Sequence, residues 1–262
     1  MFRVGSVLSG ALTVVRVATE HDIRYPAAAL AYYSFVSLLP LVVLVLALVG
    51  APIATEIQAA TPRVLTTEAQ QLMYEALTTA TGRAGAALLA AAVLAWSAAN
   101  ISIGFLTVIE RVEAAGDRSL LDQARDATGI LGSLLLAIAA LVVVGALFPL
   151  IPASESVAHV GFLVLPLALT AAFVPLYYVP SRLVTSVRAA LPGAVSAALG
   201  WTVLLLVVQV YATNAGRYAV YGVLSGIIII LTALYAAATM LLFGVVVNAL
   251  VARRGALEGV SE

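Results

Sequence analysis

The polar side chains inside the long apolar stretches of the sequence are its first candidates for chemistry. Tyr32, Tyr33 and Ser37 lie within two turns of a predicted helix, and Asn100 and Tyr178 lie in two further apolar stretches. Such groups can contact the polar part of an amphipathic substrate, or they can form interhelical hydrogen bonds of about 0.6 kcal/mol each. For a single residue, an interhelical hydrogen bond is the simpler interpretation. The cluster of three residues instead favours a polar strip that faces the interior of a helix bundle.

A second candidate is an arginine near tyrosines in the segment NAGRYAVYG, from Asn214 to Gly222. At the depth of lipid headgroups, the Arg217 guanidinium can bind a phosphate or another anionic group. The same pattern is typical of an aromatic belt with an anchoring arginine, and such belts are common at membrane interfaces. Two interpretations of Arg217, as a lipid contact and as a membrane anchor, therefore stay open.

Residues that would catalyse a reaction or bind a metal are scarce. The chain has no cysteine and two histidines, His21 and His159, and it contains no HExxH, GxSxG or Walker phosphate-loop motif. Its formal net charge is zero, which provides no basic field for nucleic acid. We therefore expect no catalytic residue, no metal, no cofactor and no nucleic-acid partner, and we expect that the protein is not an enzyme.

The elements that must position these side chains follow from hydropathy. Of the 262 residues, 63% are hydrophobic and 10% are charged, whereas soluble domains average about 45–50% and about 25%. About 20 apolar residues cross a bilayer as a helix, and six stretches without charged residues qualify. They are 26–50, 85–109, 128–150, 159–179, 191–212 and 223–251. The predicted fold class is an all-α integral membrane protein, a bundle of six transmembrane helices.

The distribution of arginine predicts the topology of these spans. Ten of the thirteen arginines fall on one side of the predicted membrane, and Arg63, Arg83 and Arg217 fall on the other. Since cytoplasmic loops are enriched in Lys and Arg, we expect a multi-pass protein of the cell membrane with both termini in the cytoplasm. No charge lies inside a predicted span, so an ion relay through the membrane is not favoured.

Four of the segments outside the predicted spans have a structural interpretation of their own. Residues 1–25 have apolar and polar positions at helical spacing, which predicts an amphipathic helix in the cytoplasmic interface. The external segment 51–82 contains a capping box, Thr67 with Gln70, and should form short helices. Residues 110–126 carry eight charges and are interpreted as a solvated helical connection. Residues 252–262 are interpreted as a cytoplasmic tail that follows the membrane domain of residues 26–251.

Prolines inside the spans predict helix kinks. Pro40 lies in the first span, and Pro166 and Pro175 lie in the fourth. A helix interrupted twice resembles the broken helices that line transporter cavities, although a kink can also serve packing alone. Pro192 is expected at the start of a helix, where its missing donor has no cost.

Several motifs, in the right order along nearly the whole chain, resemble the YihY/BrkB family of inner-membrane proteins. They are YPAAALAYYSFVSLLPL from Tyr25 to Leu41, FVPLYYVP from Phe173 to Pro180, LPGA from Leu191 with Gly200 and Trp201, the NAGRYAVYG segment, and Gly244 with Asn248. The resemblance implies six spans in the cytoplasmic membrane. Val246 stands where members of the family commonly carry a glutamate, so any role of that glutamate is in question here.

Members of that family have been labelled ribonuclease BN or virulence and serum-resistance factors, and some have been linked to movement of lipid or lipopolysaccharide precursors. With the residues above, this resemblance favours a passive or partner-driven translocator of lipid or another amphipathic molecule, which would have membrane lipids as its partners. The alternative is a non-catalytic scaffold that supports the envelope through protein partners. A ribonuclease is least favoured, because the expected metal ligands and basic surface are missing.

Overall fold

A computed structural model describes residues 13–49, 80–114, 119–147, 155–214 and 222–258. These residues form seven helices, and no strand occurs among them. In chain order the helices are α1 (13–20), α2 (Arg24–Val49), α3 (Ala80–Glu113), α4 (Leu120–Leu147), α5 (Glu155–Tyr178), α6 (Val187–Thr213) and α7 (Gly222–Glu258). The all-α prediction is confirmed for this part of the chain.

The six long helices carry the apolar stretches that were predicted to cross a membrane. α5 contains an apolar segment shorter than the others, Leu163–Tyr178. The other five helices are long and apolar enough to cross a bilayer, over Arg24–Val45, Ala84–Glu113, Leu120–Ala146, Val187–Thr213 and Gly226–Arg254. The structure is therefore compatible with a helical membrane bundle, and the number of six spans stays a prediction.

Large apolar side chains are exposed along these helices. Leu88 of α3, Leu136 and Val143 of α4 and Val207 of α6 each leave more than half of their surface uncovered. Contiguous apolar surface of this kind is unfavourable in water. In a bilayer the same faces contact lipid tails, while the helical backbone satisfies its own hydrogen bonds.

Each long helix begins before the stretch that hydropathy assigned to the membrane, because capping groups decide where a helix ends. The Ser119 hydroxyl accepts the Asp122 N–H (3.2 Å) where α4 begins, and the Ser186 hydroxyl accepts the Ala189 N–H (3.2 Å) where α6 begins. α3 is followed by Ala114 in the left-handed region, at φ 54°, a conformation that terminates helices.

The predicted segments outside the spans are described only in part. Of the N-terminal 25 residues, 13–20 are helical and 21–23 form a turn, whereas 1–12 lie outside the described residues. Of the external segment, residues 80–82 belong to α3 and the rest lies outside. The charged connection is helical on both sides of residues 115–118, which also lie outside.

The chain divides into two compact units, Tyr32–Asn100 and a larger one that combines Met1–Ala31 with Ile101–Glu262. In the larger unit, α4, α5, α6 and α7 pack against one another in chain order. α1 joins the core of this unit through Ala18, which is buried, and through Val14 and Val17.

α5 supplies the centre of the core in the larger unit. Leu169, Phe173 and Leu176 are completely buried. The Phe173 ring meets the Trp201 ring of α6 edge to face, with 5.2 Å between the centroids, a favourable geometry for aromatic pairs. The Trp201 indole N–H donates to the Ala237 carbonyl of α7 (3.0 Å), so one side chain connects three helices.

α6 and α7 approach closely where two glycines face each other. A Cβ atom on Gly193 would clash with the Gly244 carbonyl, and one on Gly244 would clash with the Tyr177 hydroxyl. That hydroxyl donates to the Leu241 carbonyl (2.8 Å), so a buried hydrogen bond of Tyr177 links α5 to α7. Small residues at helix crossings serve the same purpose in many membrane proteins.

Pro192 lies inside α6 and not at its start, so the prediction for this residue is wrong. α6 begins at Val187, and the proline falls in its second turn. The Asn248 side chain reaches this turn from α7, where it accepts the Gly193 N–H (2.6 Å) and donates to the Ala190 carbonyl (3.2 Å). An amide from the neighbouring helix thus bonds two backbone groups of the turn that contains the proline.

Candidate functional site

Charged groups of the larger unit gather at one end of its helices, which we name the charged end. It comprises the last turn of α3, the first turns of α4, the connection 179–186 and Arg253 of α7. The Glu113 carboxylate accepts the Ser181 hydroxyl and the Arg182 N–H (2.8 Å for the latter). Arg253 donates to the Val112 carbonyl (2.6 Å). These bonds attach α3 to α7 and to the connection between α5 and α6.

A cavity of about 560 Å³ opens at the charged end, between the first turns of α4 and residues 178–185, which are the last residue of α5 and most of the connection that follows it. Its volume falls in the range of about 300–1,000 Å³ that is typical of small-molecule sites. Gly129 of α4 lets the connection approach, since a Cβ atom there would clash with the Val179 side chain. The cavity walls are therefore set by close packing on one side and by the Glu113 bonds on the other.

Four charged side chains line this cavity: Asp122, Arg125, Asp126 and Arg182. Two carboxylates and two guanidinium groups give a lining whose formal charges cancel. Asp126 is buried, at 7% exposure, and the other three are exposed. The Ser119 hydroxyl donates to the Asp122 carboxylate (2.8 Å), which Arg182 and Arg125 also attract. The cavity can therefore offer positively charged hydrogen-bond donors and negatively charged acceptors.

Tyr178 is a predicted contact that the structure places at this cavity. It is 39% exposed and lines the wall, while its neighbour Tyr177 points into the core. Arg217 lies outside the described residues, so its roles as a lipid contact or an anchor stay predictions.

The predicted contacts Tyr32, Tyr33 and Ser37 belong to the smaller unit. Tyr33 meets Tyr32 at 5.3 Å and Trp96 of α3 at 5.2 Å between ring centroids, both edge to face. The Ser37 hydroxyl donates to the Ser34 carbonyl of its own helix (2.8 Å). The tyrosines thus form an aromatic cluster between α2 and α3, and the polar strip stays a prediction.

Asn100, the remaining predicted contact, also lies in the smaller unit. Its amide donates to the Trp96 carbonyl one turn earlier in α3 (2.8 Å). Hydrogen bonds of this kind satisfy a polar side chain locally. Asn100 and Ser37 thus both bond carbonyls of their own helices, and their role as substrate contacts stays a prediction.

The prolines that predicted kinks lie within continuous helices. α2 remains helical through Pro40, and α5 remains helical through Pro166 and Pro175. The Thr170 hydroxyl donates to the Pro166 carbonyl (2.7 Å), and the Val179 N–H donates to the Pro175 carbonyl (3.0 Å). No residue of α5 leaves the helix at these positions, and the kinks themselves stay predictions.

The interpretation of residues 110–126 as a solvated connection misses the cavity. Asp122, Arg125 and Asp126 are spaced three and four residues apart, which places them on one face of α4. Arg182 is the second residue after the FVPLYYVP motif. These two signals are visible in the sequence, but only the folded chain brings them together. Within the described ranges, no group of three His, Cys, Asp or Glu side chains is placed to hold a metal ion.

Comparisons with known proteins agree with the motifs. The model of a family described as Virulence factor BrkB matches residues 14–261. The ribonuclease-like protein YfkH of Bacillus subtilis (strain 168) is 32% identical over 90 residues. Those residues are 34% of this chain and 33% of that relative, so the match spans about a third of the relative's length. A search of the solved structures found no match. The apolar helices indicate a membrane protein, and the match over nearly its whole length shows that the chain belongs to the Virulence factor BrkB family.

Proposed function

We propose that the protein is a non-catalytic translocator that moves lipid or another amphipathic molecule between the leaflets of the cell membrane. In this proposal the cavity at the charged end receives the polar headgroup, and the apolar faces of the helices accommodate the tails. The ribonuclease-like name of the relative YfkH points to another activity. The zero net charge of this chain provides no basic field for nucleic acid and so argues against that activity here.

The position of the cavity carries the proposal. Two uncharged stretches meet there, because one begins at Thr128 of α4 and the other ends at Val179 after α5. Charged and polar groups therefore begin where the apolar helices end, which is the depth of lipid headgroups. Tyr178 adds an aromatic ring of the kind that is enriched at membrane interfaces.

The arginine distribution supports an orientation for this cavity. Arg125 and Arg182 belong to the side that carries ten of the thirteen arginines, so the cavity would face the cytoplasm together with both termini. A lipid would then enter or leave the cytoplasmic leaflet through the charged end.

Lipid crossing in liposomes tests the proposal. The purified protein is reconstituted with a phospholipid that carries a fluorophore on an acyl chain, and chemical quenching from outside reports the fraction that reaches the outer leaflet. We expect faster crossing than in protein-free liposomes. Arg182→Gln should slow it by about tenfold, because it removes a charge-assisted contact with the headgroup phosphate.

Arg188→Gln is the matched control. Arg188 is an exposed arginine in the first turn of α6, and it does not line the cavity. The Arg182 substitution retains the backbone N–H that bonds Glu113, so the connection keeps its anchor. Crossing at the protein-free rate, with folded protein in the liposomes, would contradict translocation and favour the scaffold.

A further inference from the structure

We propose that the cavity at the charged end recognises a headgroup that carries both a phosphate and a primary amine, as in a phosphoethanolamine group. The inference rests on the proposed function and names the class of substrate for the same cavity. It follows from the charges of the lining and from their placement on two walls.

The phosphate would contact the arginines. Arg125 projects from α4 and Arg182 from the connection after α5, so the two guanidinium groups come from different walls of the cavity. Both are exposed, and both act electrostatically on the same carboxylate, that of Asp122. Guanidinium groups bind phosphate oxygens with two parallel N–H bonds, which favours this ligand over a neutral polar group.

The amine would contact the carboxylates. Asp122 and Asp126 are one helical turn apart on α4 and line the same wall. Asp122 is exposed in the cavity and Asp126 is buried at 7% exposure beside it. An ammonium group has three N–H donors for such acceptors, whereas the quaternary nitrogen of choline has none.

The balance of charge separates this headgroup from anionic ones. The two carboxylates and two guanidinium groups cancel formally, and a phosphodiester with a protonated amine is likewise neutral overall. A headgroup with phosphate alone would satisfy the arginines but would leave Asp122 and Asp126 facing a like charge. The lining therefore favours ethanolamine over both glycerol and choline headgroups.

Binding to the full-length protein in detergent tests this specificity. Thermal unfolding is followed with short-chain phosphatidylethanolamine, phosphatidylcholine and phosphatidylglycerol, and with soluble phosphoethanolamine. We expect the ethanolamine lipid to bind about tenfold more tightly than the other two lipids, since it alone completes the charge-assisted bonds to the carboxylates. Soluble phosphoethanolamine should bind more weakly at the same site, because it lacks the tails.

Two variants should give different patterns. Arg182→Gln should weaken the binding of all three lipids, because each carries a phosphate. Asp122→Asn should weaken the binding of the ethanolamine lipid alone. The asparagine still has an oxygen that accepts the hydrogen bond from the Ser119 hydroxyl. Asp22→Asn is the control, since Asp22 is an exposed aspartate that precedes a helix and does not line the cavity; its loss removes only an exposed ion pair with Arg24.

The outcomes distinguish this inference from the proposed function. Equal binding of the three lipids, or an ethanolamine preference that survives Asp122→Asn, would overturn the inference. If all three lipids also cross liposomes equally fast, translocation stands without this specificity.

Preferential binding of phosphoethanolamine and its lipid without any crossing would support the headgroup site and contradict translocation. Binding of soluble phosphoethanolamine but of no lipid would identify a free phosphate ester as the ligand and overturn the lipid assignment.

Discussion

Two buried serines of the helices differ in their hydrogen bonds. Ser133 of α4 donates its hydroxyl to the Ala172 carbonyl of α5 at 2.5 Å. Ser97 of α3 is equally buried, at 1% exposure, but its hydroxyl has no partner among the described residues. A buried hydroxyl without a partner costs about 1–3 kcal/mol, so Ser97 is a local weakness of the smaller unit.

Replacing these serines with alanine should have opposite effects. Ser97→Ala is expected to raise the free energy of unfolding by about 1 kcal/mol, because it removes an unsatisfied polar group. Ser133→Ala should lower it by about 0.6–1.7 kcal/mol through the loss of an interhelical bond. Thermal unfolding of both variants in the same detergent measures the difference. A destabilised Ser97→Ala protein would show that the hydroxyl is satisfied in the membrane.

The sequence identifies polar side chains but not their partners. Ser37 and Asn100 were correctly recognised as polar groups inside apolar helices, yet both bond carbonyls of their own helices. The neighbours Tyr177 and Tyr178 are about 100° apart around α5, so one enters the core and the other reaches the cavity. Which tyrosine does which depends on the packing of α4, α6 and α7, which local spacing does not encode.

At the scale of elements, the contact between α6 and α7 depends on the absence of side chains. Gly193→Ala should lower the free energy of unfolding by about 1–3 kcal/mol, because the added methyl group would clash with the Gly244 carbonyl and with Asn248. Gly132→Ala in α4 is the control. A Cβ atom there meets nothing within 4 Å, and replacing a helical glycine with alanine should stabilise by about 0.5–1 kcal/mol.

Thermal unfolding of these two variants decides whether the glycine contact is tight. Equal effects of Gly193→Ala and Gly132→Ala would contradict the close approach of α6 and α7. Lipid crossing should be measured on the same samples. A looser contact between α6 and α7 is also expected to alter the charged end, because Arg253 of α7 belongs to it.

The existence of the helices followed from hydropathy, whereas their ends did not. Every long helix begins before its uncharged stretch, and α4 and α6 do so at the capping residues Ser119 and Ser186. Pro192 shows the limit of local rules. A proline is expected at a helix start, but this one lies in the second turn of α6, where Asn248 of the sequence-distant α7 bonds the Gly193 N–H and the Ala190 carbonyl.

At the scale of the whole molecule, the absence of cysteine makes the topology directly testable. Thr185 and Asn214 lie just outside the two ends of α6, a helix of 27 residues that is about 40 Å long. In intact cells, a maleimide that cannot cross membranes should label Asn214→Cys, and it should label Thr185→Cys only after permeabilisation. Labelling of both variants in intact cells would contradict the crossing of the membrane by α6.

Composition was sufficient to predict a membrane protein, because 63% hydrophobic residues cannot be covered in water. The cavity was not predictable in the same way. Its charged residues come from α4 and from a connection about sixty residues later, and each set alone is typical of a solvated helix end. Their common site arises from the tertiary contacts of Gly129 and Glu113 with that connection.

The bonds of Asn248 also bear on the order in which the protein is made. Gly193 precedes Asn248 by 55 residues, so the ribosome completes α6 well before it adds the side chain that supports the turn around Pro192. Until α7 has been synthesised, the Gly193 N–H and the Ala190 carbonyl lack these partners. The hydrogen bonding of this turn of α6 can therefore form only after Asn248 has been added to the chain.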